Sequence, residues 1–197
     1  KEKSQNEINE YKNVVALIRS MSIGADKSIW NGETNVDVKS DFICIDTHDM
    51  QKADERIQRS QYFNILTWAW EKVAENRQEK ILLIFDEAYL IVDPKVPEAL
   101  MYMRNFSKRI RKYEGGLGVI SHSVVDFLHE EVRRYGQALM DNPTYKFMMG
   151  TDGKNLQELA NLYDLTEAEQ ELLNAKRRGH VLLTVGNKRV HGIVKLE

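Results

Sequence analysis

Two adjacent carboxylates, Asp86 and Glu87, follow the apolar run Ile81-Leu82-Leu83-Ile84-Phe85. Five consecutive apolar residues read as a strand buried on both faces. Side chains just past such a strand emerge at the carboxyl edge of an α/β sheet, where ligands bind. Two acids at that edge can divide a phosphoryl-transfer task. Asp86 would hold Mg²⁺, mainly through its water shell, because this ion takes oxygen ligands and dehydrates reluctantly. Glu87 would act as general base on the attacking water, in a reaction governed by alignment and charge stabilisation. The bland alternative is a strand that ends in two solvated acids, and this segment alone leaves both readings open.

Other segments bear on the choice. Leu117-Gly118-Val119-Ile120 reads as a second buried strand, ending in Ser121-His122. Motors that hydrolyse ATP place a side chain that senses the γ-phosphate at such a terminus; an ordinary loop is the alternative. Lys108-Arg109-Ile110-Arg111-Lys112 lies between the two strands. Arg109 or Arg111 could serve there as an arginine finger to a neighbouring subunit. The same cluster could equally be a solvated helix end, where cations complement the helix dipole. The phosphate cradle G-x-x-x-x-G-K-[ST] does not occur. Its nearest approach is Gly150-Thr151-Asp152-Gly153-Lys154-Asn155, with Met148 in place of the first glycine and Asn155 in place of the Mg²⁺-binding hydroxyl. The pattern is therefore Walker B without Walker A, and the chain as it stands is not expected to hydrolyse ATP efficiently. The five histidines and Cys44 have no zinc-ligand spacing.

These residues need a scaffold, and the spacing of apolar residues supplies one. Helical periodicity runs over Ile8–Met21 and Gln61–Asn76. Pro97 suits a helix start, and that helix extends to about Tyr113, before Gly115-Gly116. One or two helices fill Ser123–Met140, and shorter ones cover Lys154–Leu162 and Glu167–Ala175. Strands are expected at Phe42–Ile45, Ile81–Phe85, Leu117–Ser121 and Tyr145–Met149, with a closing hairpin around Gly186-Asn187. The polar stretch from Gly24 to Ser40 reads as loop or hairpin. Alternating strands and helices predict an α/β fold, with a mainly parallel sheet and an antiparallel C-terminal hairpin.

With 197 residues and 42% hydrophobic content, the chain can bury the core of one domain. A formal net charge of -2 argues against a protein that coats nucleic acid, although a local basic patch is compatible with it. The lone Cys44 excludes an intramolecular disulfide.

The ordered series of motifs resembles the VirB/TraC/TrbE-type ATPases of conjugative type IV secretion. It begins with Asn31-Gly32-x-Thr34, Phe42-Ile43-x-Ile45-Asp46 and Gln61-Tyr62-Phe63-Asn64-Ile65-Leu66. It continues through Phe85-Asp86-Glu87-Ala88-Tyr89 and Arg104-Asn105-x-Ser107-Lys108-Arg109-x-Arg111-Lys112-Tyr113-Glu114-Gly115 to Asp141-Asn142-Pro143-Thr144. The likeness starts near Gly24 and is strongest from Tyr62 to Pro143. The set as a whole carries it, because no one motif is exclusive to the family.

The resemblance implies a RecA-like three-layer core of the FtsK/HerA group that uses ATP and Mg²⁺. It assigns Asp86 to the metal, Glu87 to base catalysis, Ser121 and His122 to γ-phosphate sensing, and Arg109 or Arg111 to a finger acting in trans. The family usually has Gln at the position of His122. Residues 1–40 would belong to the insertion that precedes Walker B, and residues 41–197 to the Walker-B half of the motor domain, with the Walker-A portion absent. The implied partners are further copies in a hexamer or other oligomer, the secretion channel and coupling proteins. Contact with nucleic acid would be indirect, and the location would be the cytoplasmic face of the bacterial membrane. A non-catalytic docking module, and a related coupling protein or DNA-translocating motor, stand as alternatives.

Overall fold

A computed structural model of the chain describes residues 4–33, 40–92 and 98–195. Thr34 and Pro97 lie outside the described residues. The chain divides into two compact units, Lys1–Thr47 and His48–Glu197.

In the first unit, α1 (Gln5–Ser22) starts from a capping box. The Ser4 hydroxyl accepts the Glu7 N–H and the Glu7 carboxylate accepts the Ser4 N–H, so two N–H groups that the helix leaves free are satisfied. The apolar stripe read from the sequence is present but uncovered: Val15 and Ile18 are 65% and 51% exposed. The stretch read as loop holds one short helix, α2 (Lys27–Trp30), and the Asn31 amide donates to the Ser22 carbonyl at 2.7 Å. Phe42–Ile45 is not a buried strand. It pairs with no strand among the described residues, and Phe42 is 84% exposed. An apolar run becomes a strand only where a neighbour supplies the ladder, and none is supplied here.

The second unit opens with a 3-10 turn at Asp49–Lys52 and with α3 (Glu55–Glu75). Asp54 caps α3 by accepting the Arg56 N–H at 2.9 Å, and the Arg56 side chain holds its carboxyl below the usual carboxylate range. Then come β1 (Leu82–Phe85), α4 (Glu98–Arg109) with a 3-10 extension over Ile110–Tyr113, β2 (Gly116–Val119) and α5 (Arg133–Asp141). The strands β1 and β2 run parallel, with Leu82 opposite Gly116 and Phe85 opposite Val119. The helices α3 and α4 cover one face of this pair. Leu83 and Leu117 pack on Val73, Phe106 and Ile110. Phe85 and Val119 pack on a larger core of Leu66, Ala88, Ile91, Leu100, Met103, Phe127, Val132 and Leu139.

The remainder is a second sheet, formed by β3 (Tyr145–Met148), β4 (His180–Val185) and β5 (Lys188–Ile193), all antiparallel in the order β3-β4-β5. The expected hairpin is present. Its two-residue turn has Gly186 at φ 58°, the first-position conformation that selects glycine. The helices α6 (Gly153–Tyr163) and α7 (Glu167–Asn174) cover one face of this sheet through Met148, Leu165, Leu173 and Leu182. Burial raises the Tyr163 phenol well above its ordinary pKa, and its hydroxyl donates to the Met140 carbonyl at 2.9 Å.

The α/β class stands, and the strands form two sheets of opposite kind rather than one. The third layer expected on the far face of β1 and β2 is not among the described residues. Leu82 and Ile84 project there at 68% and 61% exposure, beside Gly116 and Gly118. Tyr145, Phe147 and Val190 are likewise exposed on the antiparallel sheet. Among the described residues β2 pairs only with β1 and β3 only with β4, which leaves one free edge on each. Free edges next to open apolar faces favour association. The isolated chain is therefore expected to self-associate as concentration rises. Sedimentation velocity that returned a clean monomer at high concentration would overturn this.

Close packing is most severe where α5 crosses the turn at residues 126–128. A Cβ added at Gly136 would lie 1.8 Å from the Phe127 carbonyl oxygen. Neither backbone can yield without shifting a helix, so Gly136→Ala should cost about 3 kcal/mol, read from the midpoint of urea unfolding. A midpoint equal to that of the parent chain would contradict the packing described.

Candidate functional site

The parallel register decides which residues meet. Hydrogen bonding between the two chain segments continues past the strands: the Ile120 N–H donates to the Phe85 carbonyl, and the Ala88 N–H to the Ile120 carbonyl, both at 2.9 Å. Asp86 and Glu87 are thereby fixed beside Ile120, Ser121 and His122. Ala88 is buried in the main core, which anchors the acid pair from behind.

Glu87 occupies the left-handed region at φ 51° and ψ 43°, which is uncommon for a residue with a side chain and costs about 1–2 kcal/mol. This strain sits at the end of a strand, where the Glu87 carboxylate is exposed. Glu87 Oε2 lies 3.1 Å from His122 Nδ1. A carboxylate only accepts hydrogen bonds, so Nδ1 is the donor. The Tyr89 ring meets the His122 ring edge to face, with centroids 4.5 Å apart. Glu87 and His122 are 50% and 67% exposed, so their contact is worth about 1 kcal/mol or less, and the loops hold the geometry more than this contact does.

Asp86 Oδ1 accepts the Glu87 N–H at 2.9 Å, and the residue is exposed. Two exposed carboxylates of this kind fit a hydrated Mg²⁺, which is bound by hard oxygen donors and retained water. The Ser121 hydroxyl is engaged locally, accepting from the Ser123 N–H and donating to the Ser123 carbonyl, each at 3.2 Å. No phosphate cradle forms at Gly150–Asn155. Gly153 opens α6 at φ 53°, Lys176 pairs with Asp152, and Asn155 is turned to the loop after β2.

The structure does not bring Arg109 and Arg111 to this site. They precede the amino end of β2, whereas the acids follow the carboxyl end of β1, and a four-residue strand spans about 13 Å. The Arg109 guanidinium lies 4.6 Å over the Trp70 ring, and Trp70 packs edge to face on Phe106 and Tyr113. Arg111 is exposed on the 3-10 extension. Neither arginine follows the carboxyl end of the strand pair, where Asp86 and Glu87 stand.

The sequence motifs, the parallel register and the acid–imidazole pair can now be set beside known proteins. The solved structure of VirB4 of Thermoanaerobacter pseudethanolicus superposes with a TM-score of 0.89 and 43% sequence identity, over 98% of this chain. This likeness supports reading the chain as part of a type IV secretion ATPase. The chain spans about half of the matched VirB4 chain, 52% of it, and corresponds to a C-terminal part. No family model and no curated protein sequence matches it.

Within this VirB4-like segment, two residues of the site escaped the sequence reading. Tyr89 was part of the motif at residues 85–89 but had no role until its ring met His122. Asn155 was read only as the residue that spoils a phosphate loop. An Asn placed one turn into a helix, after a glycine-rich turn, was the signal that a side chain was available for a neighbouring loop.

Proposed function

We propose that this segment is the hydrolytic half-site of a cytoplasmic ATPase motor that powers type IV secretion or conjugative transfer. The observation that carries the proposal is the Glu87 carboxylate, exposed and held 3.1 Å from His122 of the adjacent strand end, in a chain 43% identical to VirB4. In this reading Glu87 accepts the proton of the attacking water. Asp86 holds the water shell of Mg²⁺, which when bound neutralises charge on the phosphates. His122 stands in for the usual Gln and orients Glu87 through Nδ1, with Ser121 shaping its loop. Arg109 or Arg111 acts on the nucleotide of a neighbouring copy, a role compatible with their place away from the acid pair.

ATP and Mg²⁺ are the cofactors, a second copy of the protein is the first partner, and the secretion channel and coupling proteins follow from the same reading. Nucleic acid would be met indirectly. Among the described residues no helix is long and apolar enough to cross a membrane; the same reading places the motor at the cytoplasmic face of the membrane. Without a phosphate cradle, the segment alone is expected to be inactive.

A second reading keeps the segment as a docking module with no catalysis, favoured by the open apolar faces around Ile84 and Phe147. The two readings separate on ATP hydrolysis by a protein that joins this segment to its phosphate-binding half, assayed beside its Glu87→Gln variant.

A further inference from the structure

The loop that carries His122 is fixed at two points. At one end, Ile120 is bonded to Phe85 on β1. At the other, Asn155 Oδ1 accepts the backbone N–H groups of Val124 at 3.0 Å and Val125 at 3.2 Å, reaching across from α6. Between these anchors stand Ser121, His122 and Ser123, with the Ser121 hydroxyl closing a local turn. An amide oxygen has two lone pairs and can take both N–H groups at once. The residue that disqualifies the Gly150–Asn155 stretch as a phosphate loop therefore has a task of its own.

We propose that Asn155 is a positioning residue of the hydrolytic site: by holding Val124 and Val125 it sets the loop so that His122 donates from Nδ1 to Glu87 and orients that carboxylate. The functional part of this inference rests on the reading of Glu87 as the base. Its structural part is the coupling of α6 to the His122–Glu87 contact. The orientation of a general base is a property that turnover reads directly, because hydrolysis depends on alignment more than on bond-making by the protein. A residue that only capped the turn at residues 126–128 would leave the imidazole where it is.

The tautomer of His122 distinguishes these cases, since the ring nitrogen that carries the proton is set by the hydrogen bond it makes. The chain is labelled with ¹⁵N-histidine, and ring nitrogens are read by long-range ¹H–¹⁵N correlation at about pH 8, above the ordinary imidazole range. The His122 signal is identified by its loss in His122→Gln. The wild-type chain should show the Nδ1–H pattern at His122. Glu87→Ala and Asn155→Ala should both move it mainly to Nε2–H, the double variant should match Glu87→Ala, and Asn155→Asp should restore the wild-type pattern. If Asn155→Ala does not fold, Asn155→Gln, which displaces the acceptor by one methylene, is read in the same way.

An Nδ1–H pattern that persists in Asn155→Ala while the Val124 and Val125 amides shift would overturn the proposal, as would an Nε2–H pattern in the wild type. In the hydrolysing protein, Asn155→Ala should lower kcat about tenfold with KM unchanged, and an unaltered kcat would also overturn it. The tautomer does not depend on hydrolysis. If Glu87 proves not to be the base, the coupling is still read, and if the coupling is absent, the effect of Glu87→Gln stands.

Discussion

Glu87→Gln lowers ATP turnover by about 10²-fold or more in a protein that joins this segment to a phosphate-binding half, and spares nucleotide binding. The amide keeps the size of the side chain and its place at the strand end, but it cannot take a proton from water. It also keeps an oxygen that can accept from His122 Nδ1, so the contact at 3.1 Å survives in altered form and the loop stays in place. The loss should therefore appear in kcat and leave the affinity for a nucleotide titrated at equilibrium unchanged. The left-handed conformation at φ 51° is retained, so stability should change little. Equal turnover in both proteins, or none in the parent, would reduce Asp86 and Glu87 to solvated acids after a strand. The docking reading would then lead.

The second large effect is expected in the core beneath the site. Phe127 is fully buried and sits among Leu66, Leu100 and Val132, in the cluster that also contains Ala88 and Ile91. Phe127→Ala should cost about 3–5 kcal/mol, through lost apolar contact and the cavity left behind. That is a large part of the 5–15 kcal/mol that holds a typical domain, so the variant should unfold at much lower urea. Phe127 also ends the loop that carries His122, and Ala88 supports Glu87 from the same cluster. Losing this side chain should therefore broaden the His122 resonance before global unfolding. A urea midpoint within experimental error of the parent would show that this cluster does not hold the second unit together.

Much of the architecture was legible because local signals agreed. The alternation of Tyr62, Leu66, Ala69 and Val73 gave α3, and its buried positions follow that spacing. Gly186 marked the hairpin, and the capping pair Thr166 and Glu169 begins α7 where the apolar spacing placed it. The run Phe42–Ile45 misled because it has the composition of a buried strand with no partner strand among the described residues of its unit. Composition says what a segment could bury, and only neighbours decide whether it does. The exposure of Leu82 and Ile84 was hidden for the same reason: five apolar residues in a row imply two covered faces, and one is open here.

By itself the sequence determined the chemistry on offer. Two acids end an apolar run, a second such run ends in Ser121-His122, cations lie between them, and no phosphate cradle is present, all of which follow from residue type and order. Tertiary structure decided which of these groups meet. Parallel register with hydrogen bonds running past the strand ends sets His122 against Glu87, residues 35 positions apart in sequence. The same strand direction puts Arg109 and Arg111 at the other end of the sheet, so spacing along the chain could not show that they are absent from the acid pair. Asn155 joined the site only when α6 folded back against the loop after β2. Contacts of this kind depend on packing between elements distant in sequence, and no local pattern encodes them.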